Sequence, residues 1–215
     1  MRLNDVWRNI SQEIGVYWKG QFERVPAASG VYAWFYPLKV ATHTLDDFLA
    51  ELEAVFSFDA RLEGSPITQA RARFAWRQIN IRLHETRRPP TSPDLLRNSW
   101  EAIVQDEARF FELRKALLKA SILMPPLYVG KTGDLRTRCW QHINGTGGRG
   151  FHDRFEQYAL AQQLSKRSVR DLIFACIKTA DSASATDPTE EEARAIESVV
   201  EEILKFVSAP PYGKR

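Results

Sequence analysis

The sequence predicts a mixed α/β chain in which a small sheet is split by a long helical stretch, and three observations predict it. Dense β-branched and aromatic runs occur at Gly30 to Tyr36, Leu127 to Val129 and Asp171 to Lys178. Between the first two, from about Leu38 to Leu123, apolar residues recur at helical intervals. A last helical period begins near Thr189 or Glu190 and runs to about Val207, where Pro210-Pro211 ends it. The chain thus divides into a lead-in with the first strand (residues 1–37), a helical insertion (38–123) and the rest of the α/β part (124–215).

Met1 to Phe22 reads as a helical or mixed lead-in, because Trp7, Ile10, Ile14 and Trp18 stand at helical spacing and would pack on the core. Val25-Pro26 and Ala27-Ala28-Ser29 turn into the strand Gly30 to Tyr36, which stops at Pro37. Strand alternation puts Tyr32, Trp34 and Tyr36 on one face and Val31, Ala33 and Phe35 on the other. Both faces are apolar enough to be covered, as in a central strand.

In the insertion, Leu45, Phe48, Leu49, Leu52 and Phe56 predict a helix started by Thr44. Ala70, Phe74, Ile79 and Leu83 predict a second, arginine-rich on its polar side. Leu96, Trp100, Ile103, Val104, Phe110, Phe111, Leu113 and Leu117 predict a third between Ser92 and Ile122, after the break at Arg88-Pro89-Pro90. Pro125-Pro126 stops it before the stretch on which the rest of the chain depends, Leu127 to His142. There a short strand meets Gly130, Lys131 to Asp134 turn, and Asp134 caps a helix. Arg138 and His142, one helical turn apart, share a face with Leu135. Asn144 to Gly150 is a glycine-rich connector, Phe151 to Gln163 returns to helical spacing, and Thr179 to Pro188 is a polar loop. The final helix carries Ala193, Ile196, Val200, Ile203, Leu204 and Val207 on its apolar side.

With 215 residues and 44% apolar content the chain can bury a substantial core. Lys and Arg outnumber Asp and Glu by only 30 to 27, so a polyanion would have to be held by local patches. Cys139 and Cys176 are too few for a disulfide framework or a cysteine-based zinc site, and a reducing cytoplasm is the expected setting. No apolar run has the length of a membrane span, so no membrane partner is expected. His43, His84 and His152 lack the spacing of a metal cluster and read as surface or loop residues.

The GVY of Gly30 to Tyr32, the YVG of Tyr128 to Gly130 followed by Lys131, the LRTR ending in Arg138, His142, and the late helix bearing EARAIE through Glu197 together resemble the GIY-YIG nuclease superfamily. The resemblance covers roughly residues 25–38 and 124–215. It implies a small three-stranded sheet flanked by helices, here with a large α-helical insertion between the first two strands. It also implies a metal-dependent endonuclease that hydrolyses DNA phosphodiester bonds, in a restriction or phage-defence setting. The alternative is a nucleic-acid-binding module on a catalytically degenerate nuclease scaffold. Gly213 follows Pro211-Tyr212 where the family carries an asparagine.

Phosphodiester hydrolysis needs an aligned water, a route for its proton and positive charge against the phosphate. The resemblance gives those roles to Tyr32, Tyr128, Arg138, His142 and Glu197. Glu197 would hold one Mg²⁺ or Mn²⁺, with Glu201 as the alternative ligand on the same helix face. Arg138 would grip nonbridging oxygens. The tyrosines would position water and phosphate, Tyr32 on the water, one of them acting as base if nearby cations lowered its pKa, with help from Lys131. His142 would relay a proton or hold phosphate. Lys131, Arg136, His152, Arg154, Arg87 and Arg88 are the expected nucleic-acid contacts, the last two extending a basic face begun by Arg71, Arg73 and Arg77. A symmetric DNA site would call for a homodimer. Tyr32, Tyr128, Arg138, His142 and Glu197 are expected to converge on one cleft.

Overall fold

The computed structural model describes residues 14–40, 43–57, 93–147, 150–179 and 190–213. One sheet organises them: β1 (Ile14–Tyr17), β2 (Gly30–Phe35), β3 (Tyr128–Thr132) and β4 (Ile173–Lys178), in the order β1-β4-β2-β3 and antiparallel at every pairing. Six α-helices lie among the described residues: α1 (Leu45–Ser57), α2 (Pro93–Val104), α3 (Glu107–Ala120), α4 (Leu135–Asn144), α5 (Phe151–Ala161) and α6 (Glu190–Ser208).

The sheet has four strands where three were expected, because part of the lead-in is not helical. Ile14 to Tyr17 pair with Ile177 to Phe174 as β1. The segment Ile-Gly-Val-Tyr favours a pleated strand over a helix, and pairing it covers the edge that β4 would otherwise leave open. Trp18 then turns its Nε1 to the carbonyl of Asp171 at 3.2 Å. Trp7 and Ile10 lie outside the described residues.

β2 is central, as its two apolar faces require. Tyr32 pairs with Gly130 on one side and Cys176 on the other, so the 38–123 insertion leaves β2 and returns as its immediate neighbour β3. Leu127 extends the ladder by donating to Trp34 O at 2.7 Å. Tyr32, Trp34 and Tyr36 are all buried; Trp34 sits among Phe22, Phe151 and Phe174 in the main core, which also takes in Leu135, Phe155 and Tyr212.

The insertion builds its own core from Leu38, Val40, Leu45, Phe48, Trp100 and Phe110. α1 begins after Thr44, whose carbonyl accepts from Phe48 N at 3.3 Å. The third expected helix is two. Asp106 ends the run by accepting from Ala108 N at 2.9 Å and Arg109 N at 3.1 Å, so it caps α3 instead of continuing α2. The helix expected around residues 70–83, with Arg71, Arg73, Arg77, Arg87 and Arg88, lies outside the described residues.

α6 departs most from expectation. Its length agrees, but the apolar side expected to pack faces outward: Ile196 is 47%, Ile203 56% and Val207 76% exposed, while Glu197 is only 2% exposed. The reason lies in the surface beneath. α6 rests over β3 and β2, where Ser29, Lys131 and Thr179 offer polar partners to Glu197 and Ser198. Among the described residues no helix is long and apolar enough to cross a membrane.

Candidate active site

The start of α4 is fastened to the chain entering β2. Asp134 caps it, accepting from Thr137 N at 3.1 Å and from Thr137 Oγ1 at 2.7 Å. Leu135 N donates to Ala28 O at 2.9 Å, Arg136 N to Pro26 O at 3.1 Å and Arg136 Nε to Val25 O at 2.7 Å. Buried Leu135 anchors the same turn from the core side. With its first turn held this way, α4 projects Arg138 and His142 over the face of β2 that carries Tyr32. Gly130, the cross-strand partner of Tyr32, makes room for the ring, since a Cβ there would lie 2.5 Å from the phenol oxygen.

Four of the expected residues meet there. Arg138 Nε donates to Tyr32 Oη at 3.2 Å, and Tyr32 Oη lies 2.8 Å from His142 Nε2. A guanidinium can only donate, so the phenol oxygen accepts from Arg138, and it shares a second hydrogen bond with His142 Nε2. Tyr128 stacks on Tyr32 at 6.1 Å between centroids and lies 5.3 Å from the His142 ring. Arg138 Nη1 also donates to Gln141 Oε1 at 2.9 Å, a restraint that the sequence signalled only as an i,i+3 pair.

The electrostatics reverse one expectation. Burial drives the Tyr32 phenol above its usual pKa, the neighbouring Tyr128 adds to this, and the bond and charge of Arg138 pull the other way without prevailing. Tyr32 is thus a neutral phenol in the resting site, not a tyrosinate prepared by cations. Burial, assisted by the charges of Arg138, His152 and Arg154, lowers His142 to about 3. It is a neutral imidazole at physiological pH.

Glu197 stands apart. Its Oε1 accepts from Ser29 Oγ and from Thr179 Oγ1, the latter at 2.5 Å. Neither hydroxyl was foreseen from the sequence, where each is one small polar residue in a turn. In β2 and β3 the paired residues Val31 and Lys131 share one face, and Tyr32 and Gly130 the other. Lys131 Nζ bonds to Ser198 Oγ of α6, so α6 and Glu197 occupy the sheet face opposite the tyrosines. Tyr32, Tyr128, Arg138 and His142 converge; Glu197 shares no hydrogen bond with them. Among the described residues no three His, Cys, Asp or Glu side chains gather as a metal-binding group. Glu197 Oε2 is a hard oxygen of the kind that Mg²⁺ or Mn²⁺ takes, while Oε1 is already committed to two hydroxyls. Glu201 ion-pairs with Lys205 at 2.9 Å.

The remaining expected contacts divide. Lys131 and Arg136 are exposed, although each is tethered by one bond to the protein. His152 is partly buried, with Nδ1 2.8 Å from His142 O and Nε2 3.4 Å from Glu156. Arg154 is buried: it is 7% exposed and its Nη2 donates to Tyr212 O at 2.6 Å, anchoring the C-terminal turn. Gly213 closes that turn on Pro210 O at 3.1 Å. Comparison with protein-family models, with curated proteins and with solved structures finds no match.

Proposed function

We propose that the chain is a metal-dependent endonuclease hydrolysing DNA phosphodiester bonds, as its resemblance to GIY-YIG nucleases implies. The observation that carries this reading is the bonded set Arg138, Tyr32 and His142 with Tyr128 stacked beside it, assembled although the two tyrosines stand 96 positions apart. Such pre-organisation is expected of a site that must hold a phosphate without reorganising.

Each residue has a role that follows from its bonds. Arg138 is fixed at Nε and Nη1 and presents the rest of its fork to nonbridging oxygens. Tyr128, partly exposed where Tyr32 is buried, is the phenol that reaches water and substrate. Tyr32 and His142 lie behind and hold the other two in register. Arg136, two residues before Arg138 on α4, is placed to guide the flanking backbone, whereas Lys131 points to the α6 side of the sheet. A divalent ion held by Glu197 would sit on the α6 side of the sheet, across from this cluster, so the positive charge beside a phosphate at Tyr128 comes from Arg138.

Plasmid and linear DNA incubated with Mg²⁺ or Mn²⁺ test the proposal. The wild-type chain should nick or cut, and Arg138→Ala should lose about 10²- to 10³-fold in rate, the scale of a lost transition-state donor. Arg138→Lys should rescue little, because an ammonium lacks the planar fork.

A second reading, a DNA-binding module that no longer cuts, is favoured by the burial of Glu197 on the far face of the sheet. Salt-dependent DNA binding without cleavage in any metal would select it, and neither binding nor cleavage would remove both readings.

A further inference from the structure

The outward face of α6 is used by neither reading. Six large apolar side chains stand on it, with Val199 59% and Phe206 80% exposed beside Ile196, Ile203, Leu204 and Val207. The helix buries its polar side instead, so this stripe is not the residue of an ordinary core-facing helix. Side chains of these sizes expose on the order of 600 Å² together, close to the roughly 800 Å² that each partner of a standard interface buries.

The chemistry around the stripe narrows the occupant. Glu190, Glu191, Glu192, Glu201 and Glu202 accompany it along α6, against Arg194 and Lys205. An acidic helix repels nucleic acid, and it lacks the basic polar face with which amphipathic helices settle on anionic lipid. A protein surface remains. The spacing identifies which one: Ile196, Val199, Ile203 and Phe206 follow at intervals of three, four and three, so the seam reads the same from either end. Laid antiparallel on its own copy about a two-fold axis, it places Ile196 opposite Phe206 of the partner subunit and Val199 opposite Ile203 of the partner subunit. That is the self-complementarity of an isologous helix pair. Glu202, which flanks the seam, shares Lys205 with Glu201, at 3.1 and 2.9 Å, so one of these two charges is compensated within one copy. We propose that α6 is the dimerisation helix of this protein, packing antiparallel against α6 of a second copy. This does not depend on whether the tyrosine cluster cuts DNA.

Light scattering and sedimentation of the full chain at micromolar concentration test it. The wild-type mass should be twice the 24.7 kDa of one chain. Ile203→Glu should weaken association at least a hundredfold and leave a folded monomer by circular dichroism. Cys139 and Cys176 are buried, so introduced thiols report alone. Mixed Val199→Cys and Ile203→Cys chains should cross-link to each other, whereas parallel pairing would link each variant to itself. A monomeric wild-type chain, a dimer indifferent to both Ile203→Glu and Val199→Lys, or a wild-type chain that binds lipid vesicles through the stripe would each overturn the proposal. Unfolding by both charge variants would also overturn it, since the stripe would then be covered from within its own chain.

Discussion

His142 shows how much of this site rests on one uncharged ring. An unfolded chain would titrate it near 6.5, whereas in the fold, burial and the charges of Arg138, His152 and Arg154 hold it at about 3. The unfolded state therefore binds more protons between those values, and stability falls as pH drops from about 6.5 toward 3. Denaturant titrations at pH 7 and pH 5 should show this loss, and His142→Gln should flatten that part of the profile. An unchanged slope in the variant would mean that His142 protonates freely in the folded protein. Tyr32→Phe tests the same bond from its other end. It strands His142 Nε2 in the core and costs Arg138 a partner, a loss of about 1–3 kcal/mol. That Arg138 and His142 share a helix face was legible from the helical period, and that Tyr32 and Tyr128 join them was legible only through the resemblance. The protonation states were not, because they follow from burial that no spacing reveals.

At the scale of elements, β2, β3, β4 and α4 stand close to where composition and capping residues put them. β1 was missed because Ile14 and Trp18 satisfy a helical interval while Ile14 to Tyr17 satisfy a strand, and only the vacant edge of β4 decides between them. α6 was right in extent and wrong in face, since periodicity finds an apolar stripe without saying what meets it. What α6 does bury is Glu197, and that sets a prediction. Removing both donors with Ser29→Ala and Thr179→Ala leaves a buried carboxylate uncompensated, so the double variant should lose about 1–3 kcal/mol. Combining it with Glu197→Gln should recover part of the loss if the clamp is structural. Calorimetric Mn²⁺ titration separates the roles: wild type should bind and Glu197→Gln should not. Equal binding by both would remove Glu197 as the metal ligand while leaving the clamp intact.

The whole molecule joins two apolar cores that the sequence separates only as a change of period. The sheet core and the insertion core meet at Leu52 of α1, which packs against both. Glu51, next to it, accepts from the buried Tyr36 hydroxyl just beyond β2 and from Ser165 beyond α5. Ser121, at the end of the insertion, accepts from Leu38 N at its beginning, 2.8 Å away. The insertion is thus tied in at its entry, its exit and along its first helix, connections that no linear pattern displays because each joins residues far apart in the chain. Such coupling should make the two cores unfold together. Trp100 supplies the test: it is buried in the insertion core, stacks on Phe48 at 5.8 Å and donates to His43 O at 2.7 Å. Trp100→Ala should cost about 3–5 kcal/mol. If the coupling holds, amides of β2, far from the mutated ring, should lose hydrogen-exchange protection in step with those of α2 and α3, and one thermal transition should move down. Two transitions, with β2 protected as in the wild type, would show that the insertion is a separate folding unit carried on the sheet.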